Sequence, residues 1–238
     1  MKKRSVEQAF SDAAPHYDTW VRQALPTYDE LFSVAVEIIP FAQDRPLEIA
    51  DLGAGSGLFS RHVQSAYPKA AFTLVDASRA MLDMARKRFK QEADSFTFIE
   101  QRLEDFAEPE RFDVVISSLA IHHLEDSDKR SLFKRIFAAL HQGGAFINVD
   151  QIRGQPPFDR LYWKTWLNKV RAAGASETEI QTSINRRREY DRDACLSDQL
   201  AWLKQAGFIA DCIYKHYFVA VFLALKRDPL WLERHSHT

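Results

Sequence analysis

The chain has 238 residues, of which 46% are hydrophobic and 27% are charged, and its formal net charge is -1. This length allows one large α/β domain or two small ones. The balanced charge gives no electrostatic preference for nucleic acid or for an anionic membrane surface. Cys195 and Cys212 are too few for a disulfide framework or a structural zinc site. With no signal-peptide pattern and no membrane-length apolar run, the sequence predicts a cytoplasmic globular protein.

The N-terminal region predicts two short helical segments. Residues 6–18 form an amphipathic stretch that Pro15 interrupts. Residues 27–39 carry apolar side chains every three or four positions, as a packed helix face requires, and Pro40 ends them. Residues 41–46 then lead as a loop into the first apolar strand.

Strands and helices alternate strictly through the middle of the chain. Strands are predicted at 47–52, 72–76, 96–99, 112–118 and 145–149, with a helix at 128–140 that Gly143 and Gly144 end. Such alternation predicts a parallel sheet covered by helices on both faces. A charged helical stretch at 151–193 then interrupts the pattern, and a helix at 195–205 and strands at 208–214 and 217–225 complete the chain.

The first strand runs into a glycine turn, Asp51-Leu52-Gly53-Ala54-Gly55-Ser56-Gly57. Glycine tolerates positive φ and lets a ligand approach the backbone, and the N-terminus of the next helix presents unpaired N–H groups. The turn therefore predicts a nucleotide-like ligand. Its G-x-G-x-G spacing differs from the dinucleotide pattern, whose third glycine position is Leu58 here, and a P-loop lysine is absent.

Asp76 ends the second predicted strand. A carboxylate there, ~20 residues after a glycine turn, can accept hydrogen bonds from both hydroxyls of a ribose. This geometry serves NAD and S-adenosylmethionine (SAM) equally well. The alternative is an ordinary aspartate that caps the following helix, and the combination with Gly53 favours the nucleotide site.

The blocks 49–57, 74–78, 112–118 and 140–144 occur in the order and spacing of the class I SAM-dependent methyltransferases, which the chain resembles over nearly its whole length. The resemblance implies an α/β fold with a Rossmann-like seven-stranded sheet, mostly parallel with an antiparallel last strand, plus a helical cap. It divides the single domain 1–238 into lid helices (1–40), a SAM-binding core (41–150), a helical cap insert (151–193), and a terminal helix and strand hairpin (194–226). Within the class the chain is similar to the carboxy-SAM synthase group, through Tyr28 and the closing segment 196–226.

The resemblance also implies SAM as cofactor and a set of binding residues. The glycine motif would present backbone to the methionyl end, with Asp51 near the ammonium, and Asp76 would bind the ribose. The remaining positions implied by the resemblance are Gly53, Ala54, Gly55 and Gly57 in the turn, Ala77 and Met81 against sugar and adenine, Ser118 facing the sulfonium, and Tyr28 and Tyr17 over the methionine tail.

Arg102 departs from the pattern, because relatives usually carry an aspartate there for the adenine amino group. Arginine cannot accept a hydrogen bond. Either the N–H of Leu103 alone contacts adenine, or Glu104 or Asp105 replaces the missing carboxylate.

His122, after the fourth strand, is a candidate general base, because histidine titrates near neutral pH. The alternative is a structural turn beside the cofactor. His122 and His123 have no apparent third ligand of matching spacing, so no metal site is predicted. Two further groups have both a binding and a structural interpretation. An anion site or a solvated helix face would explain the arginines Arg186, Arg187, Arg188 and Arg192. The wall of an acceptor pocket or the packing face of a helix would explain the aromatic residues Tyr162, Trp163 and Trp166.

The sequence thus predicts a SAM-dependent methyltransferase that acts in line on a small-molecule acceptor. The alternatives are a carboxy-SAM synthase, an RNA methyltransferase, an NAD-dependent dehydrogenase and a SAM-binding protein without catalysis. Leu58 argues against NAD, and the Ser117-Ser118-Leu119-Ala120 segment lacks the N-P-P-Y pattern of base methylation. Nucleic acid is disfavoured as a partner, no membrane association is expected, and a homodimer is compatible with the sequence.

Overall fold

The computed structural model describes residues 7–8, 11 and 16–227. Seven strands form one sheet in the order β3-β2-β1-β4-β5-β7-β6. The strands are β1 (Glu48–Leu52), β2 (Ala71–Asp76), β3 (Phe96–Glu100), β4 (Phe112–Ser118), β5 (Leu140–Gln151), β6 (Ile209–His216) and β7 (Val219–Leu225). The predicted seven-stranded α/β sheet is confirmed.

The strand directions place the glycine turn at a distinctive point of the sheet. Strands β1 to β5 pair in parallel, whereas β7 runs antiparallel to both β5 and β6. Strand β1 lies between β2 and β4, so the order of the strands reverses there. In open α/β sheets, ligands bind outside the carboxyl ends of the strands at such a reversal. Asp51 and the glycine turn lie at this end.

Eight α-helices accompany the sheet in residues 16–227. They are α1 (Tyr17–Ala24), α2 (Tyr28–Glu37), α3 (Leu58–Ala66), α4 (Arg79–Arg88), α5 (Asp126–Ala139), α6 (Phe158–Ala172), α7 (Glu177–Tyr190) and α8 (Leu196–Gln205). One buried core includes Phe32, Phe59 and Leu82, and a second includes Phe133 and Leu203. Among the described residues no helix is long and apolar enough to cross a membrane.

Strand β5 begins earlier than predicted. Helix α5 ends at Ala139 and the strand starts at Leu140, so the two glycines lie inside the strand. Leu140 pairs with Phe112 on β4. The Gly143 N–H donates to the Lys226 carbonyl (2.8 Å), and the Lys226 N–H donates to the Gly144 carbonyl (2.9 Å). These partners are distant along the chain, so no local sequence pattern predicts the longer strand.

The helical insert has a small core of its own and is attached to α1. Val170 and Ile180 are buried, and Trp20 from α1 and Trp166 from α6 pack against them. The Trp166 Nε1–H donates to the carbonyl of Ala24 at 2.8 Å. The insert and the N-terminal helices therefore pack together above the sheet.

Lys129 fixes the far end of the insert. Its side chain is fully buried, and its Nζ donates to the carbonyls of Leu124 (2.6 Å) and Arg192 (2.5 Å) and to the Asp126 carboxylate (3.1 Å). A buried ammonium is tolerated only where oxygen atoms surround it. Arg192, near the end of the insert, is thereby held against α5.

We expect Lys129→Met to lower the free energy of unfolding by about 2–4 kcal/mol, because it leaves two buried carbonyls without a donor. Urea unfolding followed by circular dichroism measures the change. The exposed Lys134 of the same helix gives the matched control, Lys134→Met. Equal stability of the two variants would contradict this role of Lys129.

Candidate functional site

The glycine turn is pressed against the segment that follows β4. Gly53, Gly55 and Gly57 have φ of +68°, +54° and +80°. A Cβ on Gly53 would lie 2.2 Å from the Cβ of Ala120. The N–H groups of Gly53 and Ala54 donate to the Val75 carbonyl at 2.8 and 3.1 Å. The first glycine is required both for its dihedral angles and for this close approach.

Asp76 presents its carboxylate at the carboxyl end of β2. One oxygen accepts the Gly55 N–H at 2.8 Å, and the other accepts the Ser78 N–H at 2.7 Å. Burial raises the pKa of Asp76, and the two backbone hydrogen bonds oppose that rise. Each carboxylate oxygen can accept a further hydrogen bond. The carboxylate is therefore oriented by the turn and still able to accept from a ligand.

A cleft of about 780 Å³ lies over these groups. Eight of the predicted cofactor residues line it, namely Tyr17, Gly53, Gly55, Asp76, Ala77, Met81, Arg102 and Leu103. Its other lining residues are Glu7, Ser78, Glu104, Leu119, Ala120, His123 and Leu124. The lining of the cleft thus comes mostly from β2, from the segments that follow β1 to β4, and from α1 and α4.

Asp51 lies behind the glycine turn and does not line the cleft. It is fully buried, and its Oδ2 accepts from the Ser60 hydroxyl at 2.6 Å. Its Oδ1 has no hydrogen-bond partner among the described residues. Burial raises the pKa of Asp51 to about 7. The carboxyl group is thus incompletely satisfied.

Five other predicted residues also lie outside the lining of the cleft: Tyr28, Ala54, Gly57, Ser118 and His122. Gly57 is the N-cap of α3, and a Cβ there would lie 2.6 Å from the Phe89 ring. Ala54 is almost fully buried in the turn. Ser118 ends β4, one residue before Leu119, which does line the cleft.

Tyr28 lies in the core, not over the cleft. Its ring packs on Phe32 with centroids 4.7 Å apart, and its hydroxyl lies 3.2 Å from Nε2 of His62. Only 4% of the residue is exposed. The apolar face of α2 points to the sheet and carries Tyr28 with it, so this position does not fit the predicted contact with a methionine tail.

Arg102 is held between two carboxylates. It forms ion pairs with Glu7 and, at 2.8 Å, with Glu104. The hydrogen bond to Glu104 is the main cause of its raised pKa. Both carboxylates line the cleft. The departure from the family pattern therefore comes with two nearby acceptors.

Helix α1 is anchored to the glycine turn. The Ser56 hydroxyl donates to Asp18 at 2.6 Å, and Arg88 pairs with Asp18 while donating to the Ser56 carbonyl at 2.7 Å. This anchor places Tyr17 at the cleft. Burial raises the pKa of Tyr17, so its phenol stays protonated and can donate a hydrogen bond.

A second cavity of about 940 Å³ adjoins the cleft, and Tyr17, Leu119 and His123 line both. Aromatic side chains from α1, α6 and the β6–β7 turn wall it: Trp20, Trp163, Trp166, Tyr217 and Phe218. Leu119 and Tyr217 have φ of +51° and +52°, which is uncommon for residues other than glycine. Both strained residues therefore lie at this cavity.

His122 lines the second cavity and belongs to a buried hydrogen-bond network. Its Nδ1 lies 2.5 Å from the carboxylate of Asp150, and its Nε2 lies 2.8 Å from the amide nitrogen of Gln151. This pattern fits a neutral ring in which Nδ1–H donates and Nε2 accepts. Burial lowers the pKa of His122, but the Asp150 charge and hydrogen bond outweigh it, so the pKa is raised.

Asp191 lies beside the two histidines, although no third ligand of matching spacing is apparent in the sequence. Its Oδ1 lies 3.1 Å from Nδ1 of His123 and 3.7 Å from Nε2 of His122. Asp191 also accepts from Gln151 at 3.1 Å, and Arg187 binds both Gln151 and Asp193. The insert supplies these groups, and no spacing pattern near His122 could have indicated them.

The comparisons with known proteins agree with this geometry. Residues 49–144 match the family described as "Methyltransferase domain". A malonyl-[acyl-carrier protein] O-methyltransferase of Ilyobacter polytropus is 25% identical over 142 residues, which cover 60% of this chain and 50% of that protein. A carboxy-S-adenosyl-L-methionine synthase of Campylobacter lari is 22% identical over 94% of this chain and 97% of its own length. This chain therefore spans about half of the first relative and nearly all of the second.

The fold of this chain is also similar to that of a solved structure. The structure of DhpI in complex with S-adenosylhomocysteine (SAH) superposes with a TM-score of 0.63 at 16% identity, covering 92% of this chain and 93% of that one. The domain match, the sheet order and the glycine turn together support a class I SAM-dependent methyltransferase. The part of the chain that carries the methyltransferase domain runs from β1 into β5.

Proposed function

We propose that this chain transfers a methyl group from SAM to a small-molecule acceptor. The observation that carries the proposal is the meeting of two cavities at Tyr17, Leu119 and His123. One cavity holds the oriented Asp76 carboxylate beside a glycine turn. The other is walled by aromatic rings. Methyl transfer requires donor and acceptor sites that open onto each other in this way.

The cleft beside Asp76 is the proposed SAM site. Asp76 accepts from the ribose hydroxyls, and the backbone of Gly53, Ala54 and Gly55 faces the methionyl end. Ala77 and Met81 contact the sugar and adenine. Support comes from the two N–H groups that fix the Asp76 carboxylate and from the close approach at Gly53, where a Cβ has no room.

Glu7 and Glu104 are the proposed partners of the adenine amino group. Both line the cleft, and Arg102 holds both carboxylates. We also propose that the N–H of Leu103 contacts the adenine ring. Relatives carry an aspartate at the position of Arg102. An ionised glutamate held by this arginine would take the place of that aspartate, and the adenine amino group needs only one such acceptor.

Bound SAM would supply an electrophilic methyl group to the lone pair of the acceptor, and its sulfur would keep the electrons of the C–S bond that breaks. The protein contributes mainly by alignment and by excluding water. Tyr17 covers the junction of the two cavities. His122 is the proposed base for an acceptor that must lose a proton: Asp150 orients its ring, and the acceptor would replace Gln151 at Nε2.

Mass spectrometry of the purified protein tests the proposal directly. We expect it to carry SAM or SAH, and calorimetry with either ligand to give one site per chain. A protein that binds neither ligand but changes NADH fluorescence would be a dehydrogenase instead. Retention of tRNA at moderate salt would favour an RNA methyltransferase.

A carboxy-SAM synthase is the second candidate, because the relative of that name aligns over 94% of this chain. The same spectra distinguish the two candidates. Carboxy-SAM in the purified protein supports the synthase, whereas plain SAM or SAH with labelled methyl appearing in a metabolite pool supports methyl transfer.

A further inference from the structure

We propose that the second cavity takes a planar acceptor that carries an anionic group, and that Arg186 binds that group. This inference rests on the proposed methyl transfer, because it names the class of acceptor for the same site. It joins three observations: the aromatic walls, the division of the arginine cluster, and the chemistry at the junction of the two cavities.

The walls of the cavity suit a flat ring. Trp163 and Trp166 stack with centroids 4.9 Å apart, and Phe218 meets Trp163 edge to face at 6.1 Å. The hydrogen bond from Trp166 to the Ala24 carbonyl fixes that indole. Aromatic side chains bind another ring by stacked or edge-on contacts at such separations. An acceptor with a planar body would meet these rings by contacts of the same kind.

The structure divides the arginine cluster into two parts. Arg186 and Arg187 are half-buried and line the cavity, whereas Arg188 is exposed and does not. Arg187 is engaged by Gln151 and Asp193. Asp191 is the one carboxylate among the described residues that line this cavity. Because His123 and Gln151 both contact Asp191, it is already part of the local network.

Arg186 lines the second cavity, which meets the cleft at Tyr17. Its charge lowers the pKa of Tyr17, against the larger effect of burial, so the guanidinium lies within electrostatic reach of the phenol. An anion there would meet a guanidinium and a protonated Tyr17 hydroxyl, and both donate. It would also offset the positive charge of a SAM sulfonium in the adjoining cleft. A carboxylate or an ionised ring hydroxyl fits this position.

Calorimetry on the SAH-loaded protein tests the proposal with indole-3-acetate and its neutral analogue, indole-3-acetamide. We expect the acid to bind at least about tenfold more tightly than the amide. Arg186→Gln should remove that preference, Arg186→Lys should keep part of it, and the exposed Arg188→Gln should leave it unchanged. Thermal unfolding of each variant shows whether the fold is retained.

Two outcomes would overturn the inference: equal binding or no binding of the two indoles in the SAH complex, or an unchanged preference for the acid in a folded Arg186→Gln protein. SAH binding is measured separately. If SAH binds and the acid does not, the acceptor class is wrong and the methyltransferase proposal stands. If SAH itself does not bind, the proposed function fails first.

Discussion

Asp76→Asn is expected to weaken SAM binding by at least about 100-fold. The change removes a negative charge and replaces one acceptor oxygen by an amide nitrogen that only donates. Hydrogen bonds to a charged group contribute about 1.5–3 kcal/mol each, and about 1.4 kcal/mol corresponds to a factor of ten. The same variant also loses one of the two backbone contacts, from Gly55 or from Ser78, that hold the side chain. Calorimetry with SAM and with SAH measures the loss.

Asp113 provides the matched control. It also accepts a backbone N–H, from Glu48 at 3.0 Å, and it pairs with Arg45, but it lies at the amino end of β4. Asp113→Asn therefore removes a comparable interaction at the opposite edge of the sheet. We expect its SAM affinity to equal that of the unmodified protein. If the Asp76→Asn protein binds SAM as tightly as this control, Asp76 does not bind the cofactor.

Asp51→Asn is expected to make the protein more stable at pH 8 than the unmodified chain. The pKa of Asp51 is about 7 in the fold against 3.8 for a free aspartate, mainly because it is buried. Its contribution to stability is complete below pH 3.8 and is lost as pH rises towards 7. Asparagine does not titrate and can still accept from Ser60. Between pH 5 and pH 8 the variant should gain about 3 kcal/mol over the unmodified protein.

Urea unfolding at both pH values measures this difference, because groups common to both proteins cancel. A gain that does not depend on pH would show that Asp51 is not a buried, titrating carboxyl group. The SAM affinity of the same variant tests the predicted contact with the ammonium. A loss of about tenfold, the size of one charge-assisted contact, would support that contact, whereas the buried position of Asp51 outside the lining of the cleft predicts little change. Unchanged affinity would limit Asp51 to supporting the turn.

Much of the fold follows from local patterns in the sequence. The apolar strands, the glycine spacing and the carboxylate at the end of β2 are neighbours along the chain, and each is short enough to identify from residue types alone. The cofactor residues that line the cleft come mostly from these segments. Parallel strands bring their carboxyl ends to one edge, so the order of the motifs was enough to predict that Gly53 and Asp76 would meet.

The missed features depend on contacts between distant segments. Asp191 reaches the histidines from the end of the insert, and Glu7 reaches Arg102 from the N-terminal region. Tyr28 was assigned to the cleft by resemblance, but the apolar face of α2 directs it into the core. The residue type of Leu119 did not indicate a role at the site. Its positive φ and its position between the two cavities became visible only in the folded structure.

Helix α1 contributes Tyr17 to both cavities and Trp20 to one of them, and Asp18 ties the same helix to the glycine turn. One short helix is thus a common roof. Under the proposed function, a displacement of α1 would uncover the proposed cofactor cleft and the proposed acceptor cavity together, so binding of one ligand would be linked to access for the other. In such an arrangement the order in which ligands arrive and leave is a property of eight residues, not of the sheet beneath them.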